Sequence, residues 1–340
     1  MELKPARPLC VGLAEWHVWV DRVDITSNMA KGRQKKKQHY VPRAYLSAWT
    51  DPATPPGQTP YIWIFDKEGG SGKRKSPEKT FTETDIYTIT MLDGSRDLRL
   101  EDGLQQLEQG IGTLRRDFLE ERRQLPPVRH IKLMAFLSAM QARTPAFREH
   151  HRGQYQKLLK IGDDLMAQMA TKTLEERRRI GSLSSFSNGP RMTMGQVREI
   201  AERPIQALLP RFLRVEVPIL TQMQSTILCA TSDAEFITSD APVSRYDPEA
   251  HKRPFQFRSA GLAFSTIEIV MPLSPRMALL VHHTQPMSRG IKPIVYCDVE
   301  EEFVDEVNRR TRAFAHEHVV SSRDRFKSEW LGLERVDHED

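Results

Sequence analysis

Cysteine is scarce in this chain: Cys10, Cys229 and Cys297 lie far apart and form no Cys-x-x-Cys pair. An odd number of thiols closes no disulfide framework, so a reducing, cytoplasmic setting is the simpler expectation. Long apolar runs are missing as well. No stretch approaches the roughly 20 apolar residues a membrane span needs. Glu15, His17 and Asp21 interrupt the place where a secretory signal would have its apolar centre, so no membrane partner is expected. Net charge is small, since 50 Lys and Arg face 45 Asp and Glu. A net +5 permits a nucleic-acid partner without requiring one, because footprints depend on local clustering. Gly-x-Ser-x-Gly is absent, which leaves no nucleophile elbow. "GGSGK" lacks the spacing of a phosphate loop. His150-His151, His282-His283 and His316/His318 have no flanking ligands at zinc spacing and are expected at the surface.

What the chain does contain is a globular balance, 39% hydrophobic and 28% charged over 340 residues, enough for a sizeable core. Met29-Ala30-Lys31 looks like a second natural start, so residues 1–30 are expected to be an N-terminal extension, in which "WHVWV" could add an edge strand. Lys31 to Lys37 hold five basic residues and no acid. Such a run is either a solvated tail or an arm touching phosphates; in the second case Lys35, Lys36, Lys37 and Arg43 are the nucleic-acid contacts. "HYVPRAYLSAW" reads as a short extended piece, then a helix opened by Pro42. "YIWIFDK" running into "KEGGSGKRK" predicts a strand and a turn, one arm of a hairpin.

The middle of the chain is helical. Leu104, Leu107, Ile111, Leu114 and Phe118 recur at steps of three and four and predict one amphipathic helix. "HIKLMAFLSAMQARTP" predicts a buried helix ended by Pro145, and Thr193 and Gln196 have capping-box spacing ahead of a helix that Pro204 should bend. Short β-branched segments return after about residue 220, and Cys229 and Cys297 fall within them as small buried residues. A last helix follows with Phe303, Val307 and Phe314 on one face, then "VVSS" as a closing strand. The expected fold is α+β: a mixed sheet built from N- and C-terminal segments around a large inserted helical block. A single domain over 31–325 would comprise an α/β start at 31–97, helices at 98–213 and a strand-rich part at 214–325, with 326–340 as a tail.

Four separated segments carry a likeness. "QHYVPRAYLSAW", the set Gln141, Arg143, Thr144 and Pro145, the turn Thr238-Ser239-Asp240 with Pro242 and Val243, and Asn308 followed by "HVVSS" occur in this order. Together they resemble a bacterial family of unknown function, domain-of-unknown-function family 4238, over roughly residues 31–325. The resemblance implies that the domain begins near Met29; it implies no activity, so chemistry rests on the residues.

A metal-dependent phosphodiester hydrolase needs carboxylates, often with a histidine, around one or two divalent cations. Candidate catalytic residues are His39, Arg143, Asp240 and Asn308; candidate metal ligands are Asp240 and Glu108. Glu101 and Glu108 lie on one helical ridge about 10 Å apart, too far to share one cation, and both read equally as solvated flanks. Asp240 stands at a strand end, where sites on sheets gather, yet Asp in "SDAP" is also an ordinary turn former. Arg143 suits a buried carboxylate, Asp240 being the attractive one, or a phosphate. The leading expectation is a nucleic-acid-processing, nuclease-like enzyme with a divalent metal, in a conflict or defence setting. The alternative is a non-catalytic sensing, ligand-binding or interaction protein in which the same motifs are fold determinants.

Overall fold

The computed structural model describes residues 37–91, 93–183, 192–284 and 290–332. Most of the basic run, including Lys35 and Lys36, and the expected "WHVWV" strand lie outside the described residues. The chain opens with β1 (Lys37–His39) and the short helix α1 (Arg43–Leu46), which tightens into a 3₁₀ turn at Ser47–Trp49. Then come β2 (Ile62–Asp66), β3 (Lys73–Lys75), β4 (Thr82–Thr84), β5 (Ile89–Thr90) and β6 (Arg96–Asp97). The helical block holds α2 (Arg99–Glu108), α3 (Ile111–Leu114), α4 (Pro127–Ala142), α5 (Pro145–Ala170), α6 (Leu174–Leu183), α7 (Met194–Glu202) and α8 (Pro204–Leu220). The chain closes with β7 (Gln224–Ala230), β8 (Thr238–Ser239), β9 (Ser244–Tyr246), β10 (Glu268–Ser274), β11 (Met277–His282), β12 (Val295–Val299), α9 (Glu301–Phe314) and β13 (His318–Ser321).

The fold is α+β, with the strand-bearing ends segregated from the helices between them. Two sheets carry it. One is five-stranded, ordered β12-β7-β11-β10-β9, antiparallel except for the parallel pair β12 and β7, and comes wholly from the C-terminal part. The other, ordered β3-β2-β13-β8, joins a hairpin from the start of the chain to strands from its end. Successive side chains of a strand face opposite ways, and the core divides accordingly. Ile227, Ile269 and Leu279 point into the main core with α4 and α8, whereas Leu228, Val270 and Ala278 pack with Val304 and Val307 of α9. In the second sheet Ile62, Ile64 and Val320 join the main core. Trp63, Phe65 and Val319 face the other way, toward Trp330. Residues 326–332, expected as tail, dock there: Trp330 is 3% exposed and its indole N–H donates to Asp305 Oδ1 at 2.9 Å.

Local signals hold where their determinants are local. Thr193 and Gln196 form the capping box of α7, and Pro204 goes further than a bend, separating α7 from α8. Pro145 starts α5, with Thr144 as its cap. The single amphipathic helix expected around Leu104 is instead broken. Gly110 takes φ +80°, a left-handed conformation that stops α2, and a π turn at Arg115–Leu119 then shifts the phase so that Leu119 is buried in place of Phe118. The face of α9 is also different from expectation: Phe303 is exposed, and Val304, Val307, Asn308 and Thr311 turn inward. Cys297, on the edge strand β12, is exposed, and Cys229, on the neighbouring β7, is half-buried.

Candidate functional site

The end of α4 and the start of α5 leave two residues between two helices, the cap Thr144 and, before it, a buried arginine. Arg143 donates from Nη1 to Glu108 Oε1 at 2.6 Å, from Nε to the Tyr87 hydroxyl at 3.0 Å and from Nη2 to the His39 carbonyl at 2.6 Å. Its carboxylate partner is therefore Glu108, not Asp240. Burial works against the guanidinium charge, but Tyr87 and Glu108 outweigh it and raise Arg143 above its usual range. Beside it, the buried Gln38 accepts from the Tyr87 N–H at 2.8 Å and donates to Thr88 Oγ1 at 3.0 Å. The His39 ring nitrogen Nε2 bonds the Glu78 carbonyl at 3.0 Å, and burial lowers its pKa, which favours the neutral imidazole.

Asp240 is spent on main chain. Its Oδ1 accepts from the His316 N–H at 2.8 Å, and its Oδ2 accepts from the N–H groups of Glu317 at 2.8 Å and His318 at 3.0 Å. Three backbone donors in a row make the carboxylate the anchor of the bend between α9 and β13. Asn308 does the same from α9, accepting from Ile237 N–H at 2.9 Å and donating to the Glu235 carbonyl at 2.8 Å. From the opposite side, Trp49 Nε1 donates to the Phe236 carbonyl at 2.8 Å, and the Tyr45 hydroxyl meets Thr238 Oγ1 at 2.7 Å. The stretch 235–240 thus pairs as strand through only the two residues of β8, is tied by the Phe236 N–H to the Pro275 carbonyl and the Asp240 N–H to the His318 carbonyl, and is otherwise held by side chains from both ends of the sequence.

The nominated residues therefore meet in two bonded groups, Arg143 with Glu108 and the His39 carbonyl, and Asp240 with Asn308 through the 235–240 stretch. The His39 imidazole and the Asp240 carboxylate share no bond. The Tyr40 ring, next along the chain, is 5.6 Å from that of Phe81, which in turn is 6.4 Å from His318. As ligands for a cation, Asp240 and Glu108 fit poorly, since each is committed to hydrogen-bond donors of the chain itself. Among the described residues no group of three or more His, Cys, Asp or Glu is placed to hold a metal ion.

Sequence reading passed over a different feature. Strand β3 is an edge, and Lys73, Arg74 and Lys75 are all exposed on it. Lys79 follows on the next turn, and Lys37 is exposed on β1 nearby, where His39 bonds Glu78. Among the described residues none of Lys37, Lys73, Lys75 and Lys79 forms an ion pair. Arg43 is exposed and stands 3.9 Å from Glu78. Arg74 sits over two rings, its guanidinium carbon 4.8 Å from the centroids of both Tyr61 and Trp63. The signal was there in "KRKSPEK", but it reads as turn chemistry until the neighbouring acids are known to lie elsewhere.

Among the described residues no helix is long and apolar enough to cross a membrane. Neither the curated proteins nor the solved structures provide a match to the chain. One family does match, described as Protein of unknown function (DUF4238), over residues 37–325. That span contains both sheets, the helical block and each of the clamps built from Arg143, Asp240 and Asn308, and the chain belongs to this family.

Proposed function

We propose that the chain is a nucleic-acid-binding protein that grips the phosphate backbone with the edge around β3, and that its motif residues are fold determinants and not catalysts. The observation that carries this reading is the set of lysines without acid partners among the described residues, Lys37, Lys73, Lys75 and Lys79, the first of which ends the basic run from Lys31. Unpaired, exposed lysines gain most from displacing the counterions condensed on a polyanion. Against a catalytic reading stands the consumption of Asp240 and Asn308 by main-chain groups.

Fluorescence anisotropy with labelled DNA and RNA 20-mers, titrated at several salt concentrations, tests it. Wild type should bind with an affinity that falls steeply with salt. K73E/K75E/K79E should bind at least tenfold more weakly, with a salt slope shallower by about two. Absence of saturable binding, or a triple variant indistinguishable from wild type, overturns the reading. Adding Mg²⁺ or Mn²⁺ to the same mixtures tests hydrolysis: cleavage that stops in a folded Asp240→Asn variant would restore the nuclease expectation.

A further inference from the structure

We infer that the nucleic acid is single-stranded and that one of its bases stacks on the outer face of Arg74; this rests on the basic-edge reading above. The geometry begins with Asp51. Its Oδ2 accepts from the Trp63 indole N–H at 2.6 Å and its backbone N–H donates to the Tyr61 carbonyl at 2.8 Å, which fixes the Trp63 ring and the main chain that carries Tyr61. Tyr61 and Trp63 meet edge to face with centroids 5.9 Å apart. Arg74 pairs with Trp63 across the hairpin, so both side chains emerge on one side of the sheet, and the guanidinium covers both rings while itself staying exposed. With the two rings nearly perpendicular, the guanidinium can meet only one of them face on, and its exposed side away from the pair is open to a second flat π system.

Lys73 and Lys75 are opposite Ile64 and Ile62, so they leave the strand on the other side. A ligand running along β3 therefore meets ammonium groups on one side of the edge and a planar, aromatic-backed cation on the other. A single strand can straddle that edge, with phosphates against the lysines and an unstacked base over Arg74. In a duplex the base faces are buried in the stack, and only the phosphates remain to be met.

The test compares the full chain binding a labelled thymidine 20-mer with a mixed-sequence 20-base-pair duplex. Wild type should prefer the single strand by about tenfold, the scale of one stacked base. Arg74→Ala should remove that preference, lowering single-strand affinity more than duplex affinity. Arg74→Lys, which keeps the charge without the plane, should behave like Arg74→Ala; retention of the preference in Arg74→Lys overturns stacking. Equal affinity for both ligands, unaltered in Arg74→Ala, overturns this inference and leaves the basic edge standing. If neither ligand binds, the basic-edge reading falls and this one falls with it.

Discussion

A buried histidine with a single polar partner is a sensitive reporter of its surroundings. His130, on α4, is 1% exposed and lies 3.1 Å from the Ser225 hydroxyl, and burial pushes its pKa down to about 4. Unfolded, it would protonate near 6.5. Because the depressed group is a base, its neutral form suits the fold. Stability is complete above about pH 6.5 and is lost as pH falls toward 4, by about 3 kcal/mol over that window. Urea denaturation at pH 7 and pH 4 should show this drop in wild type, and His130→Asn should flatten it. An unchanged pH slope in the variant would refute the assignment. His318 acts in the opposite sense. The Asp240 carboxylate raises it, so its contribution is full below about pH 6.5 and is lost as pH rises through its elevated pKa.

The hydrogen-bond ladder of β8 is too short to hold the 235–240 stretch, and the clamps supply what is missing. Removing the Asn308 side chain leaves the Ile237 N–H and the Glu235 carbonyl without partners, next to a residue only 1% exposed. Asn308→Ala should cost about 3 kcal/mol in chemical denaturation, the penalty of two orphaned backbone groups. Nucleic-acid affinity of the folded fraction should stay within twofold of wild type. A variant of full stability that has lost binding would instead make Asn308 a ligand contact. The elements also show which signals are readable in sequence. The capping box at Thr193 and Gln196 spans three residues and could be read directly. The break at Gly110 could not, because the apolar spacing fits an unbroken helix just as well, and packing decides where its phase must shift.

At the level of the whole molecule, the four-stranded sheet makes the ends of the chain interdependent. β2 and β3 come from its start, β13 and β8 from its end, and Trp330 seals the far face. The main core contains residues from β2, α4, α8 and the five-stranded sheet together. No part can therefore lose its packing alone, and urea unfolding should give coincident transitions by circular dichroism and tryptophan fluorescence. Two separated transitions would show that the helical block is an independent unit.

The α+β class, the hairpin at β2 and β3, the helix boundaries at Thr144 and Thr193, and the family itself were determined by sequence, because each depends on periodicity, on caps and prolines a few residues apart, or on motifs in order. Tertiary structure alone decided that Arg143 pairs with Glu108 in place of Asp240, that Asp240 holds a main-chain bend, and which lysines have no acid partner among the described residues. The physical reason is that a charge is matched by whatever folds to within hydrogen-bonding distance of it. For Arg143 and Asp240 those partners lie 35 and 76 or more residues away, and no local pattern encodes that proximity.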